Sequence, residues 1–127
     1  MARILIAEDE EAVRSLLVRV FAQDGHEVES APDGAAALDR LSQPDPFDLL
    51  LSDIQMPVMD GIALALAAKR DYPDLTIMLM TGYTAQRERA QGLRPLIHDI
   101  LQKPFTLAEI RASVNKALGV RTAMQSC

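Results

Sequence analysis

The chain has 127 residues, 49% of them hydrophobic, which predicts a single globular domain and excludes a disordered chain. Its net charge of −5 at pH 7 argues against a nucleic-acid-binding surface as the main feature. No apolar stretch approaches the roughly 20 residues of a membrane span, and we expect no signal peptide, because strand-like sequence begins at Arg3.

Strand-like and helix-like segments alternate along the whole chain. Short apolar runs bounded by turn residues are typical of buried strands, and apolar residues three or four positions apart are typical of helices. Five strand–helix units in succession predict a parallel sheet with right-handed crossovers and helices on both faces. In chain order, the predicted elements are a strand at residues 3–7, a helix at 12–21, a strand at 26–30, a helix at 35–41, a strand at 47–51, a helix at 62–69, a strand at 75–80, a helix at 84–91, a strand at 97–101 and a helix at 106–118.

Polar side chains follow four of the five predicted strands. Glu8 and Asp9 follow the first strand, Asp53 the third, Thr81 the fourth and Lys103 the fifth. Open α/β folds place their chemistry at the carboxyl ends of the strands, which meet at one edge of the sheet. The pattern therefore predicts one site at which carboxylates, a hydroxyl and an amine converge.

These residues, in this order, resemble the receiver domain of two-component response regulators, the phosphoacceptor module related to the chemotaxis response regulator. The likeness extends from Arg3 to about Leu118, and it includes further residues beside the polar ones: Met56-Pro57, Gly61 and Pro104-Phe105. The resemblance implies a doubly wound α/β fold of the flavodoxin type, with five parallel strands in the order 2-1-3-4-5. We assign residues 1–119 to the receiver domain and residues 120–127 to a C-terminal tail or linker stub.

The acids at this site suit a magnesium ion. A carboxylate that attacks a phosphoryl group must overcome the repulsion between two anions, so the site needs positive charge. Mg²⁺ supplies it and takes oxygen ligands, commonly one or two carboxylates with water and phosphate oxygens. Asp9 and Asp53 suit direct ligation of Mg²⁺, and Glu8 suits the holding of a coordinated water. The resemblance adds the backbone carbonyl of Gln55 as a ligand.

Asp53 is the predicted phosphoacceptor, and the product is an aspartyl phosphate. Lys103 is a compact positive charge for the transferred phosphoryl oxygens, and Thr81 is placed to hydrogen-bond one of them. Catalysis consists of positioning and electrostatics, as in phosphoryl transfer generally. We therefore expect a switch rather than an enzyme acting on metabolites, because the protein catalyses only its own phosphorylation and dephosphorylation.

One position departs from the usual receiver pattern. Receiver domains commonly carry Tyr or Phe three residues before the lysine, where it reports phosphorylation through the conserved hydroxyl, and here that position is Ile100. Tyr83, two residues after Thr81, is a candidate substitute, with a half-buried loop aromatic as the alternative interpretation. The triplet Thr81-Gly82-Tyr83 resembles stand-alone receivers of the CpdR type.

The resemblance implies a signalling switch of a two-component or phosphorelay system in the bacterial cytoplasm. A sensor histidine kinase or histidine phosphotransfer protein donates the phosphoryl group, and a target protein recognises the surface of the fourth helix, fifth strand and fifth helix; we expect no nucleic acid or membrane partner. The single cysteine, Cys127, cannot form an internal disulfide, which suits a reducing cytosol.

Candidate output residues are Arg87, Arg89, Ile100, Leu107 and Arg111. Candidate donor-docking residues are Val13, Leu16, Leu17 and Phe105, with a core position as the alternative for the leucines.

Several other polar residues have a simpler interpretation. Glu10 fits an acid at the beginning of a helix, where the helix dipole favours negative charge. Asp60, before Gly61, fits a helix cap. His26 and His98 adjoin none of the acids and have no metal-ligand spacing, so we interpret them as structural.

Other classes of protein share part of this pattern. A flavodoxin-like nucleotide binder would carry a glycine-rich phosphate loop after the first strand, where this chain has three acids. A phosphatase of the haloacid dehalogenase type needs a second acid two residues after Asp53, where Gln55 stands. Two alternatives remain open: a receiver excised from a longer response regulator with a separate output domain, and an adaptor that works without phosphorylation.

Overall fold

The computed structural model of the chain describes residues 2–82 and 84–126, including the side chains of all these residues except 84 and 120–126. Strands and helices alternate, as the sequence predicts. In chain order they are β1 (Arg3–Ala7), α1 (Glu11–Gln23), β2 (Glu27–Ala31), α2 (Gly34–Leu41), β3 (Leu49–Asp53), α3 (Gly61–Asp71), β4 (Thr76–Thr81), α4 (Thr84–Gln91), β5 (Asp99–Gln102) and α5 (Leu107–Ser126). In these two described ranges, no helix combines the length and the apolar character needed to cross a membrane.

The five strands form one parallel sheet in the order β2-β1-β3-β4-β5, which confirms the predicted doubly wound topology. Asp53 of β3 lies opposite Met80 of β4, and Thr81 of β4 lies opposite Gln102 of β5. Because all strands run in one direction, their carboxyl ends meet at one edge of the sheet. The polar residues that follow the strands lie at this edge.

The sheet buries apolar side chains on both faces, which explains why its central strands are apolar at nearly every position. One buried cluster contains Leu50 and Ile77 with residues of α2, α3 and α4. The other contains Leu49, Leu51 and Phe21 with further residues of α1 and α5. Successive residues of a strand point to opposite faces, so Leu49 and Leu50 belong to different clusters.

Side-chain caps fix the beginnings of α3 and α5. Asp60 Oδ1 accepts a hydrogen bond of 2.8 Å from the Ala63 N–H, which confirms the interpretation of Asp60 as a helix cap. Thr106 Oγ1 accepts from the Glu109 N–H, and Glu109 Oε1 accepts from the Thr106 N–H, each at 3.0 Å. This reciprocal pair is the capping box that the sequence predicts. Helix α5 continues past residue 119, while the division into domain and tail stays a prediction.

Gly61 packs its backbone directly against the strand end that carries Asp53. A Cβ atom at residue 61 would overlap the carbonyl oxygen of Asp53 and approach the Cα atom of Ile54 to 2.9 Å. Because both neighbours are backbone atoms, the whole turn must move to admit a side chain. We expect Gly61→Ala to lower the free energy of unfolding by about 2 kcal/mol or more, measured by chemical denaturation.

Gly119→Ala is the matched control for this substitution. A Cβ atom at residue 119 meets nothing within 4 Å, and the residue lies inside α5. Alanine is favoured over glycine in a helix, so this variant should be more stable than wild type by about 0.5–1 kcal/mol. Equal stability of the two variants would show that residue 61 tolerates a side chain.

Candidate functional site

The carboxyl ends of β1 and β3 bring three carboxylates together. Glu8 and Asp9 directly follow β1, Asp53 is the last residue of β3, and the two strands are neighbours in the sheet. One oxygen from each carboxylate can be chosen so that all three lie within 4.8 Å of one another. The convergence of acids that the sequence predicts is therefore present in the structure.

Lys103 joins this group from the segment after β5. Its Nζ atom lies 2.7 Å from Glu8 Oε1 and 3.1 Å from Asp53 Oδ2. Glu8 is completely buried and Asp53 is 8% exposed, whereas the Lys103 side chain is 24% exposed. Hydrogen bonds between charged groups with little water around them are stronger than exposed ion pairs. One ammonium group therefore holds two buried carboxylates, and a third carboxylate lies beside them.

The carboxyl group of Asp9 ionises less readily than a free carboxyl group. Loss of surrounding water raises the pKa of the Asp9 carboxyl above its ordinary value, and the hydrogen bond and charge of Glu8 act in the same direction. Burial alone would lower the pKa of Lys103, but the hydrogen bonds and charges of Glu8 and Asp53 outweigh it, so this pKa is raised. Lys103 therefore stays charged at neutral pH, and the site has an excess of acids that a further cation would relieve.

An open cleft of about 520 Å³ connects these groups with solvent. Its lining residues are Asp9, Glu10, Asp53, Gln55, Gly82, Lys103 and Pro104. Glu10 is the N-cap residue of α1, in keeping with its interpretation as a helix-terminal acid, but its side chain makes no capping hydrogen bond. An acid at this position is expected at the beginning of any helix. The sequence therefore contained no separate indication that Glu10 lines the cleft.

Next to the cleft residues Gln55 and Gly82 lies a polar contact that the sequence did not indicate. The Thr81 hydroxyl, which is completely buried, donates a hydrogen bond of 3.3 Å to Gln86 Oε1 of α4. Gln86 Nε2 in turn donates to Gln55 Oε1 at 3.2 Å. Gln86 is one polar residue among several in α4, and nothing in its sequence neighbourhood distinguishes it.

The predicted switch residues differ in where the structure places them. Ile100 is only 5% exposed and belongs to the core cluster with Leu50, so its inclusion among the output surface residues is wrong. The reason is strand alternation, which points Ile100 of β5 into the sheet–helix interface. Tyr83 lies outside the described residues, and its role as a substitute switch aromatic stays a prediction.

The remaining output candidates occupy surface positions and have polar contacts. Arg87 donates to Gln102 Oε1 at 3.3 Å, and Arg89 pairs with Asp60 at 3.4 Å. Arg111 pairs with Asp24, at the end of α1, at 3.0 Å. Leu107 is an exposed apolar side chain at the beginning of α5.

The donor-docking candidates divide between surface and core. Leu16 is exposed, and Val13 and Phe105 are half-buried against the α1–α5 side of the core. Leu17 is buried within that cluster, so the core interpretation applies to it and its prediction as a docking residue is wrong. Apolar positions on a helix next to a sheet are shared between core and surface, and spacing alone does not separate neighbouring leucines.

The two histidines lie apart from the acids. His26 Nδ1 accepts a hydrogen bond of 3.2 Å from the Ala2 N–H, which fits the structural interpretation of this residue. Among residues 2–82 and 84–126, the group of side chains able to hold a metal ion consists of Glu8, Asp9 and Asp53, without His26 or His98.

Comparison with known proteins agrees with the fold. The chain matches the family model of the response regulator receiver domain over residues 4–115. It is 42% identical over 118 residues to the response regulator receiver protein CpdR of Brucella abortus, covering 93% of this chain and 98% of that protein. It is 37% identical over 116 residues to the response regulator MprA of Mycobacterium avium, covering 91% of this chain and 50% of that protein.

A solved structure of a response regulator is also similar. The response regulator protein TrrA from Thermotoga maritima, in complex with Mg(2+)-BeF, has a TM-score of 0.82 and 29% sequence identity, covering 92% of this chain and 99% of that chain. The match of the family model spans most of the chain. The chain therefore belongs to the receiver domain family of two-component response regulators.

Proposed function

We propose that this receiver domain is a phosphorylation-controlled switch that accepts a phosphoryl group on Asp53. The observation that carries the proposal is the position of Asp53: its carboxylate faces an open cleft, beside two further carboxylates and within 3.1 Å of the Lys103 ammonium. An anion that must attack another anion needs this combination of positive charge and nearby metal ligands. The protein then acts on no metabolite, and it catalyses only its own phosphorylation and dephosphorylation.

The donor atoms of the cleft fit Mg²⁺. Carboxylate oxygens are hard ligands, and the excess of acids over the single ammonium group favours a divalent cation. Asp9, Asp53 and the backbone carbonyl of Gln55 would hold the ion directly. Glu8 is already paired with Lys103, so it would not contact the ion directly. It would instead orient a water molecule that is coordinated to the ion. When bound, Mg²⁺ supplies positive charge that reduces the repulsion between the carboxylate and the phosphoryl oxygens.

The reaction itself is a displacement at phosphorus. An oxygen of the Asp53 carboxylate forms a bond to the phosphorus atom, the bond from phosphorus to the donor's histidine nitrogen breaks, and that nitrogen keeps the electron pair. Lys103 stabilises the transferred oxygens by its charge. The Thr81 hydroxyl, on the neighbouring strand end, is available to hydrogen-bond one of these oxygens once it leaves Gln86.

Two kinds of protein partner follow from this chemistry. A sensor histidine kinase or a histidine phosphotransfer protein must present its phosphohistidine to the cleft, where Val13, Leu16 and Phe105 offer apolar contacts. A cytoplasmic target protein would recognise α4, β5 and α5 in the phosphorylated state. This chain covers 98% of the length of CpdR and 50% of the length of MprA, so its relatives include both a protein of receiver length and a longer regulator.

A magnesium titration tests the site. We expect weak binding, with a Kd of about a millimolar because the site has few carboxylates and much water, and amide shifts in NMR spectra centred on residues 8–10 and 53–56. Asp9→Asn should weaken binding at least about tenfold by removing a ligand, while Asp45→Asn, an exposed acid before β3, should not. Shifts centred on another part of the chain would contradict the assignment.

A further inference from the structure

Gln86 connects two strand ends beside the cleft. Its side-chain oxygen accepts from the Thr81 hydroxyl at 3.3 Å, and its side-chain nitrogen donates to Gln55 Oε1 at 3.2 Å. Thr81 ends β4, and Gln55 lies two residues after Asp53, at the end of β3. We call this pair of hydrogen bonds the Gln86 bridge. It joins α4 to the segment that follows the candidate phosphoacceptor and to the end of the neighbouring strand β4.

A second contact holds α4 to the same loop. Arg89 follows Gln86 by three residues, so the two side chains lie on neighbouring positions of one helix face. Arg89 pairs at 3.4 Å with Asp60 Oδ2, while Asp60 Oδ1 caps α3. Because Arg89 is 57% and Asp60 34% exposed, this ion pair contributes little to the attachment. The part-buried hydrogen bond from Thr81 to Gln86 is therefore the better shielded of these polar contacts between α4 and the cleft region.

The Thr81 hydroxyl has one hydrogen to donate. While that hydrogen is directed at Gln86, it cannot be donated to an oxygen bound at Asp53. A phosphoryl group adds about 1.5–2 negative charges and three strong acceptor oxygens, and hydrogen bonds to such anions are stronger than bonds to a neutral amide. The hydroxyl should therefore turn from Gln86 to the phosphoryl group. Gln86 would then lose the hydrogen bond that joins its side chain to Thr81 at the end of β4.

We propose that Gln86 is a positioning residue, which holds the Thr81 hydroxyl away from Asp53 and keeps α4 against the β3–α3 loop until Asp53 is phosphorylated. This inference rests on the proposed function. The Gln86 bridge opposes the phosphorylated state, since its bond to Thr81 must break before the hydroxyl can contact a phosphoryl oxygen. Its release is the event that transmits the new charge at Asp53 to α4.

The binding of beryllofluoride in the presence of Mg²⁺ tests this role, because beryllofluoride stands in for the phosphoryl group. Gln86→Ala should bind it about three- to tenfold more tightly than wild type, the equivalent of one neutral hydrogen bond that no longer has to break. Gln86→Met keeps the size of the side chain without its amide and should behave alike. Gln91→Ala removes the same group from the end of α4 and should leave the affinity unchanged.

Two further measurements distinguish the bridge from a general loosening of α4. The Thr81 methyl and the α4 amides of Gln86→Met, without beryllofluoride, should shift in NMR spectra toward their positions in the beryllofluoride-bound wild type. In a Thr81→Val background, which lacks the hydroxyl, Gln86→Met should change the affinity less than about twofold.

The outcomes separate this inference from the function on which it rests. Wild type that fails to bind beryllofluoride would overturn the proposed function and the inference with it. Wild type that binds while Gln86→Ala and Gln86→Met bind equally or more weakly would overturn the inference alone. An undiminished gain in the Thr81→Val background would also overturn it, since Gln86 would then act by another route.

Discussion

Asp53→Asn is expected to abolish the phosphate adduct that wild type forms with Mg²⁺ and a small phosphodonor such as acetyl phosphate. Asparagine keeps the size of the side chain, and its oxygen can still accept a hydrogen bond from Lys103, which lies 3.1 Å from Asp53 Oδ2. The neutral amide, however, lacks the anionic oxygen that attacks phosphorus. Intact-mass spectrometry of the two proteins after the same incubation measures the adduct directly.

Asp60→Asn is the matched control for this experiment. Asp60 lies seven residues later on the same loop, and asparagine caps a helix about as well as aspartate, so α3 should begin unchanged. This variant should form the adduct as wild type does. An undiminished adduct in Asp53→Asn, or its loss in Asp60→Asn, would assign the phosphoryl group to another carboxylate.

The order of strands and helices was predictable because each buried strand is a short apolar run between turn residues. The residues at which the strands begin and end were predicted less accurately. The last strand was predicted at residues 97–101 and is observed at Asp99–Gln102. Ile97 is buried like a strand residue, but its N–H donates to the Leu93 carbonyl in the preceding turn. An apolar run in the sequence indicates that its residues are buried. A buried residue, however, need not belong to the hydrogen-bonded strand.

The place of the site was predictable for a similar reason, since parallel strands carry their carboxyl ends to one edge. The sequence did not predict which of its acids would pair with Lys103 and which would face the cleft. Glu8 and Asp9 are adjacent, yet Glu8 is completely buried on Lys103 whereas Asp9 is exposed in the cleft. Their carboxylate oxygens converge to within 4.8 Å, and only the packing around them decides which one meets Lys103.

Contacts between distant polar residues were beyond prediction. Gln86 and Gln55 are 31 positions apart, and each is an ordinary residue for a polar helix or a turn. Their hydrogen bond depends on how α4 lies against the β3–α3 loop, which is a property of tertiary packing.

Gly61 is a different case, because it belonged to the family pattern and was singled out from the sequence. The structure supplies the reason, which is the contact of its backbone with the Asp53 carbonyl.

The substitution Lys103→Ala should both destabilise the fold and impair phosphorylation. Its ammonium group lies 2.7 Å from a carboxylate of Glu8 that has no access to solvent. Removal of one partner leaves a buried charge uncompensated, which costs about 3–5 kcal/mol in fully buried pairs. Because Lys103 is 24% exposed and the cleft admits water, we expect the free energy of unfolding to fall by about 2 kcal/mol.

Three comparisons test the two effects expected of Lys103→Ala, the lower stability and the slower phosphorylation. Glu8→Gln in the Lys103→Ala background removes the stranded charge and should recover part of the stability, measured by chemical denaturation. Mg²⁺ should still bind, because Asp9 and Asp53 remain, yet the phosphate adduct should form more slowly without the lysine charge. Lys116→Ala, at an exposed position of α5, should change neither property. If Lys103→Ala were as stable as wild type and formed the adduct at the same rate, Lys103 would be a surface lysine whose contact with Glu8 has no consequence.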